Sequence, residues 1–176
     1  EAADSPGRIY APVAGNTVRD QLDRGYRLGV VGSGDSHDGH PGLAHLVTGQ
    51  GGLAGIFAEE ATRAAVLEAL RARRVYATNG PRIYLRTVLA ERPMGAQVPV
   101  WRGSRELVAE VAGTAPIEWV EVVRSGEVVE RVGVDGLRQA RLALEVRHPR
   151  PGEYLYLRVI QEDGGVAWSS AYFFDR

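Results

Sequence analysis

The 176-residue chain is long enough for one domain or two small ones, and its 44% hydrophobic and 24% charged residues describe a globular protein rather than a disordered one. A formal net charge of −1 leaves no basic footprint for nucleic acid or an anionic membrane. The absence of Cys excludes disulfides, thiolate metal sites and cysteine nucleophiles, and the absence of Lys excludes a P-loop and Schiff-base chemistry.

In chain order, residues 1–14 read as an irregular lead-in, and no signal-peptide pattern opens them. Asn16 fits an N-cap for a helix over Thr17–Arg24, with Gly25 just past its end. Tyr26–Val31 is a short apolar run of the kind found in buried strands, and the Gly-, Asp- and Ser-rich stretch Gly32–Gly42 reads as the loop beyond it. A second strand fits Leu53–Ala58. A helix fits Thr62–Arg74, with Thr62 as N-cap, an apolar stripe of Val66, Leu67 and Leu70, and Arg71, Arg73 and Arg74 at the negative end of its dipole. Composition changes near Gly80-Pro81. Beyond it, short alternating runs predict antiparallel strands at Ile83–Leu89, Leu107–Gly113, Ile117–Val123, Val128–Val132, Ala140–Arg147, Tyr154–Gln161 and Ala167–Phe174. Ser125-Gly126 and Asp163-Gly164-Gly165 are hairpin signals between them. The expectation is a β-sandwich over residues 81–176 behind an α/β segment over residues 1–80. No run approaches the ~20 apolar residues of a membrane span.

Asp35-x-His37 is the leading site candidate. It follows an apolar run that reads as a strand, and a carboxylate and an imidazole two residues apart offer two ligands to zinc or manganese. The plainer reading is a turn in which Asp35 caps local amides. His40 fits a loop or substrate pocket, whereas His45 and His148 read as structural or solvated. Gly32-Ser33-Gly34 lacks the third Gly of a dinucleotide fingerprint, since His37 stands there. Gly34-Asp35-Ser36 spells the start of an esterase block, but its only distant His is His148. The Arg71, Arg73, Arg74 cluster is explained by the helix dipole, and Arg82 is the better pocket candidate. Trp101, Trp119 and Trp168 fit either core packing or an aromatic sugar-binding face.

Several linked stretches support a family resemblance: Asp23–His37, Gly52–Ala58, Thr62-Arg63, Ala69–Gly80 and Pro93-Met94-Gly95. Residues 21–95 resemble the C-terminal portion of PHP (polymerase and histidinol phosphatase) metallohydrolases, closest to the carbaryl-esterase-like branch. The β-rich tail with Trp168-Ser169-Ser170 looks like the sandwich often appended to that branch.

The resemblance implies the C-terminal β/α elements of a PHP-type barrel followed by the sandwich. It implies that Asp35 and His37 are metal ligands. The divalent metal, zinc or manganese, would activate water and polarise a phosphoester or related ester. The family's H-x-H motif and its earlier His and Glu ligands are missing, because the first His is His37. The chain therefore reads as a piece of a larger metal-dependent hydrolase, inactive alone and binding little or no metal itself. Its expected partners are a small-molecule ester and the remainder of the barrel, or another chain, covering exposed strand edges at Val30-Val31 and Ile56-Phe57. The alternative is a non-catalytic β-sandwich that binds sugar or protein.

Overall fold

The computed structural model describes residues 13–34, 39, 40, 42 and 51–176. Asp35, Ser36, His37 and His45 lie outside the described residues, as do residues 1–12. In chain order the elements are α1 (Val18–Asp23), β1 (Leu53–Ile56), α2 (Arg63–Arg71), β2 (Val75–Thr78), β3 (Tyr84–Leu89), β4 (Arg92–Pro93) and β5 (Gln97–Pro99). They continue with β6 (Ser104–Ala112), β7 (Ile117–Arg124), β8 (Glu127–Gly133), β9 (Gln139–Arg147), β10 (Tyr154–Gln161), β11 (Val166–Ser169) and β12 (Tyr172–Asp175).

Two sheets face each other. One runs β4-β3-β6-β9, every pair antiparallel. Alternation along β3 and β6 sends Leu85, Leu89, Leu107, Ala109 and Val111 inward and leaves Arg86 and Arg105 outside. In the other sheet β10 is central. It has β7 and then β8 on one side, and β11 and β12 share its other side. Val120, Val122, Leu155, Leu157, Val159, Ala167, Tyr172 and Phe174 meet the first sheet in one core. The Tyr172 phenol hydrogen-bonds Thr87 Oγ1 at 2.8 Å across the two sheets, and burial holds its pKa well above the usual tyrosine value.

The outer face of the second sheet is also partly covered. Leu22 of α1 packs on Val123, Tyr154, Tyr156, Ala171 and Phe173, and the Tyr154 phenol donates to Asp23 Oδ1 at 2.7 Å. Thr17, not Asn16, caps α1. Its hydroxyl accepts from Asp20 N at 3.2 Å, while the Asp20 carboxylate takes the Thr17 hydroxyl and amide. Those bonds from Thr17 hold the Asp20 carboxyl below its ordinary pKa.

Farther along this outer face, one row crosses three strands as Arg131, Glu121 and Arg158. Glu121 is fully buried. Arg131 Nε donates to its Oε1 at 2.7 Å and Arg158 Nε to its Oε2 at 2.6 Å. A buried carboxylate is tolerable only when both oxygens are so filled.

The barrel expectation is overturned. β1 and β2 pair antiparallel, with Leu53 opposite Thr78 and Ile56 opposite Val75. A β/α barrel requires parallel neighbours. The helix between them does not make a parallel crossover; it returns the chain alongside its own strand. β2 then pairs antiparallel with β11, so these strands extend the sheet of the sandwich. Tyr26–Val31 is no strand either: it forms no ladder among the described residues, and Tyr26 and Val31 are exposed. Gly29 explains this. A Cβ there would lie 3.1–3.2 Å from Arg73 and Val75 side-chain atoms, so the segment packs its backbone on β2 instead of pairing with it.

α2 stops at Arg71, short of the expected Arg74, because Arg73 adopts φ 59°. Its one buried residue is Ala69, while Leu67 and Leu70 of the expected apolar stripe are exposed. The strands expected beyond residue 81 are found, and Ala167–Phe174 is divided into β11 and β12.

That division depends on two serines. Ser169 Oγ accepts from Leu157 N at 2.9 Å, filling the ladder of β10 where its neighbour breaks. Ser170 N and Oγ both donate to Val75 O, at 3.2 and 2.6 Å, and Ser170 Oγ accepts from Val30 N at 3.1 Å. Ser170 is fully buried. Ser170→Ala would leave the half-buried Val30 amide without its partner, and urea denaturation should register a loss of about 1 kcal/mol, the low end for an unsatisfied donor. Glu121→Ala leaves two guanidiniums facing each other. Since Arg131 is half exposed, a loss near the low end of the range for broken buried pairs, about 3 kcal/mol, is expected by the same measurement.

Candidate functional site

Three stretches of backbone meet at one end of the β1–β2 ladder. A Cβ on Gly32 would lie 2.5 Å from Leu53 O and 2.6 Å from Thr78 O, and one on Gly52 would lie 2.8 Å from Ser33 N and 2.9 Å from Thr78 O. One on Gly51 would lie 2.7 Å from Gly34 Cα. No side chain fits at such distances, so only glycine lets these chains touch. Gly52 N donates to Ser33 O at 2.9 Å and closes the contact. Gly34 and Gly51 are the residues on either side of the stretch that carries Asp35, His37, His40 and His45. Gly34 and Gly51 thus meet each other beside the place where Gly32 and Gly52 approach Thr78 O.

The continuation of β2 is fixed as well. Asn79 Oδ1 accepts from Val166 N at 2.7 Å, Asn79 Nδ2 donates to Gly164 O at 3.0 Å, and Asn79 N donates to Val166 O at 3.1 Å. The side chain behaves as a strand partner for the turn between β10 and β11. Tyr76 sits two residues before Thr78 on the core side. It is half-buried, with its ring 5.8 Å from that of Phe57, and burial raises its phenol pKa.

The candidate residues are placed unevenly. Asp35 and His37 lie outside the described residues. His40 is exposed. Arg82 is exposed too, four residues past Thr78, on the chain leaving the end of the ladder where Gly34 is anchored. Among the described residues, no three His, Asp or Glu side chains converge in the manner of a metal site.

The arginines at the end of α2 separate. Arg73 Nε donates to Gly95 O at 2.9 Å, and its guanidinium lies 5.7 Å from the centre of the Phe173 ring. Arg74 pairs with Glu68, and its Nε donates to Phe57 O at 3.3 Å. Neither is left poised for a phosphate. The Pro93-Met94-Gly95 motif is explained by the same contact. Met94 is buried, and a Cβ on Gly95 would come 2.3 Å from Arg73 O.

The tryptophans form no common sugar-binding face. Trp101 is buried with Nε1 donating to Val146 O at 3.2 Å, Trp119 lies under the Arg131 guanidinium, and Trp168 packs with the cluster beneath α1. His148 Nδ1 accepts from Gly103 N at 3.2 Å, a structural role. Sequence reasoning missed Asn79, Ser170 and the crossing of Gly32 with Gly52. The available signal was the repeated Gly within apolar runs, at 29 and 32 and at 51, 52 and 55, a mark of close backbone approach.

Residues 42–92 match a family described as "Protein of unknown function (DUF3604)". The chain is similar to an uncharacterized protein of Chlamydia muridarum (strain MoPn / Nigg), 31% identical over 96% of this chain and 30% of the relative. It is also similar to an uncharacterized protein of Chlamydia pneumoniae, 34% identical over 70% of this chain and 23% of the relative. An uncharacterized protein of Chlamydia trachomatis serovar D is 30% identical over 96% of this chain and 30% of its own length. No solved structure matches the chain. The chain spans at most about 30% of the length of these curated relatives.

Proposed function

We propose that this chain is part of a larger metal-dependent hydrolase of the PHP type, acting on phosphoesters or related esters, in which Asp35 and His37 supply two metal ligands. The observation that carries this reading is the glycine crossing at Thr78. Beside it Gly34 and Gly51 come into contact, so the residues that flank the stretch carrying Asp35-x-His37 are held close together. Flanks held in this way favour precise placement of a ligand pair, because metal sites tolerate little looseness in their supporting shell.

A carboxylate and an imidazole suit zinc or manganese. Two donors do not complete either coordination shell, so the remaining ligands come from elsewhere in the longer polypeptide. When bound, the ion supplies Lewis acidity to water and to the ester oxygen. This chain's own part is positional: the backbone contact at Gly32, Gly51 and Gly52 holds the ends of the ligand stretch, and Arg82, exposed past the same end of β2, offers a cation to an anionic ester.

The limited span of the match to the relatives supports the reading of a part within a larger whole. In the full-length protein, Asp35→Ala and His37→Ala should each lower bound metal, measured by elemental analysis, and abolish hydrolysis of an aryl phosphoester or carboxylester. Unchanged metal content in both variants would sink the proposal.

A further inference from the structure

The glycine crossing lies at the Leu53–Thr78 end of the β1–β2 ladder. At the other end, where Ile56 pairs with Val75, a cavity of about 280 Å³ opens between the residues that follow β1 and strand β3. Phe57, Val88 and Met94 give it an apolar lining, and Glu59, Arg74 and Arg86 are its charged groups. An apolar surface with a few polar groups that fix orientation is the usual make-up of a small-molecule site.

The walls are braced from behind. Phe57 N donates to Arg74 O at 2.9 Å, and Arg74 Nε donates back to Phe57 O at 3.3 Å. The Phe57 ring lies 5.8 Å from that of Tyr76 and 6.0 Å from that of Tyr84. Met94 is buried, and Val88 is held opposite Pro93 where β3 pairs with β4. A cavity fixed in this way exists before anything enters it, which spares a ligand the cost of ordering its walls.

The three charges differ in what they have left to offer. Arg74 is fully engaged: Glu68 accepts from both of its Nη atoms and Phe57 O from its Nε. Arg86 gives only Nη1, to Glu110 at 3.2 Å, and Glu110 is shared with Arg141 at 3.6 Å. One carboxylate between two guanidiniums leaves a positive charge unmatched. Glu59 is exposed and makes no hydrogen bond or ion pair among the described residues. The cavity therefore presents one available cation, one available anion and an apolar surface.

A molecule that matches all three carries a carboxylate, an ammonium and a compact apolar body. We infer that the cavity binds a free α-amino acid with an aliphatic or aromatic side chain. Its carboxylate pairs with Arg86, its ammonium with Glu59, and its side chain rests on Phe57, Val88 and Met94. The volume stands at the lower end of ligand pockets, about 300 Å³, as so small a ligand requires. This site is separate from the Asp35-x-His37 stretch and does not depend on metal chemistry.

Calorimetric titration of the full-length protein with L-phenylalanine tests it. A Kd on the order of 0.1–1 mM is expected for a ligand of this size. N-acetyl-L-phenylalanine lacks the cation and L-phenylalaninamide lacks the anion, so each should bind more weakly by about tenfold or more. Glu59→Gln should remove the discrimination against the first, and Arg86→Gln that against the second. Both positions are exposed, and surface ion pairs such as Arg86–Glu110 add little to stability, so the variants should fold. Absence of binding by L-phenylalanine and L-leucine at millimolar concentration overturns the inference, as does unchanged affinity in both variants. Equal binding of N-acetyl-L-phenylalanine and the free amino acid also overturns it, assigning the cavity to apolar carboxylates. Amino-acid binding in a protein that holds no metal upholds the site while removing the hydrolase reading.

Discussion

The Ser170 hydroxyl sits where three separate stretches of chain meet. The Ser170 side chain is buried; it accepts from the half-buried Val30 and donates to Val75, and its own amide adds a second bond to Val75. Without the hydroxyl the half-buried Val30 amide would lose its bond and Val75 O one of its two from Ser170, which is costly in a low-dielectric setting. One side chain therefore joins the segment at 26–34, β2 and the break between β11 and β12. The sheet of the sandwich accepts β2 and β1 because this junction is satisfied.

The glycine contacts follow from that junction. Once Val30 is held at Ser170, the chain beyond it crosses the end of β2 at backbone distance, and Gly32 and Gly52 are the residues that permit the crossing. Gly95 permits a similar approach to Arg73 on another side of the joint. The stretches that carry the PHP resemblance thus have structural roles of their own: they touch one another around β2. Gly34 and Gly51, which flank the proposed ligand stretch, belong to this seam.

The sandwich was legible because period-two alternation survives wherever one face of a strand is buried, as in Leu85, Thr87 and Leu89. Its hairpins were legible because Ser125 and Gly126 both take positive φ, which few other residue pairs accept. Strand direction was not legible. The apolar run at Leu53 followed by a helix looks the same whether the next strand returns parallel or antiparallel, since periodicity carries no sign. Tyr26–Val31 misled because a short apolar run has several uses, and here Gly29 marks backbone packing instead of a ladder. For the candidate site, Asp35 and His37 stand out in the sequence as a carboxylate and an imidazole two residues apart. The contacts around β2 were not legible, because Ser170 and Asn79 act through backbone partners far away in sequence.

The central claim is that β2 belongs to the sandwich and is bound into it by Ser170. Native-state amide hydrogen exchange measures this most directly, comparing β2 at Val75–Thr78 with β11 at Val166–Ser169. If the seam is one cooperative unit, the hydrogen-bonded amides of both strands open with the same free energy and respond equally to denaturant. Exchange of β2 by a separate, low-energy opening that leaves β11 protected would contradict the account.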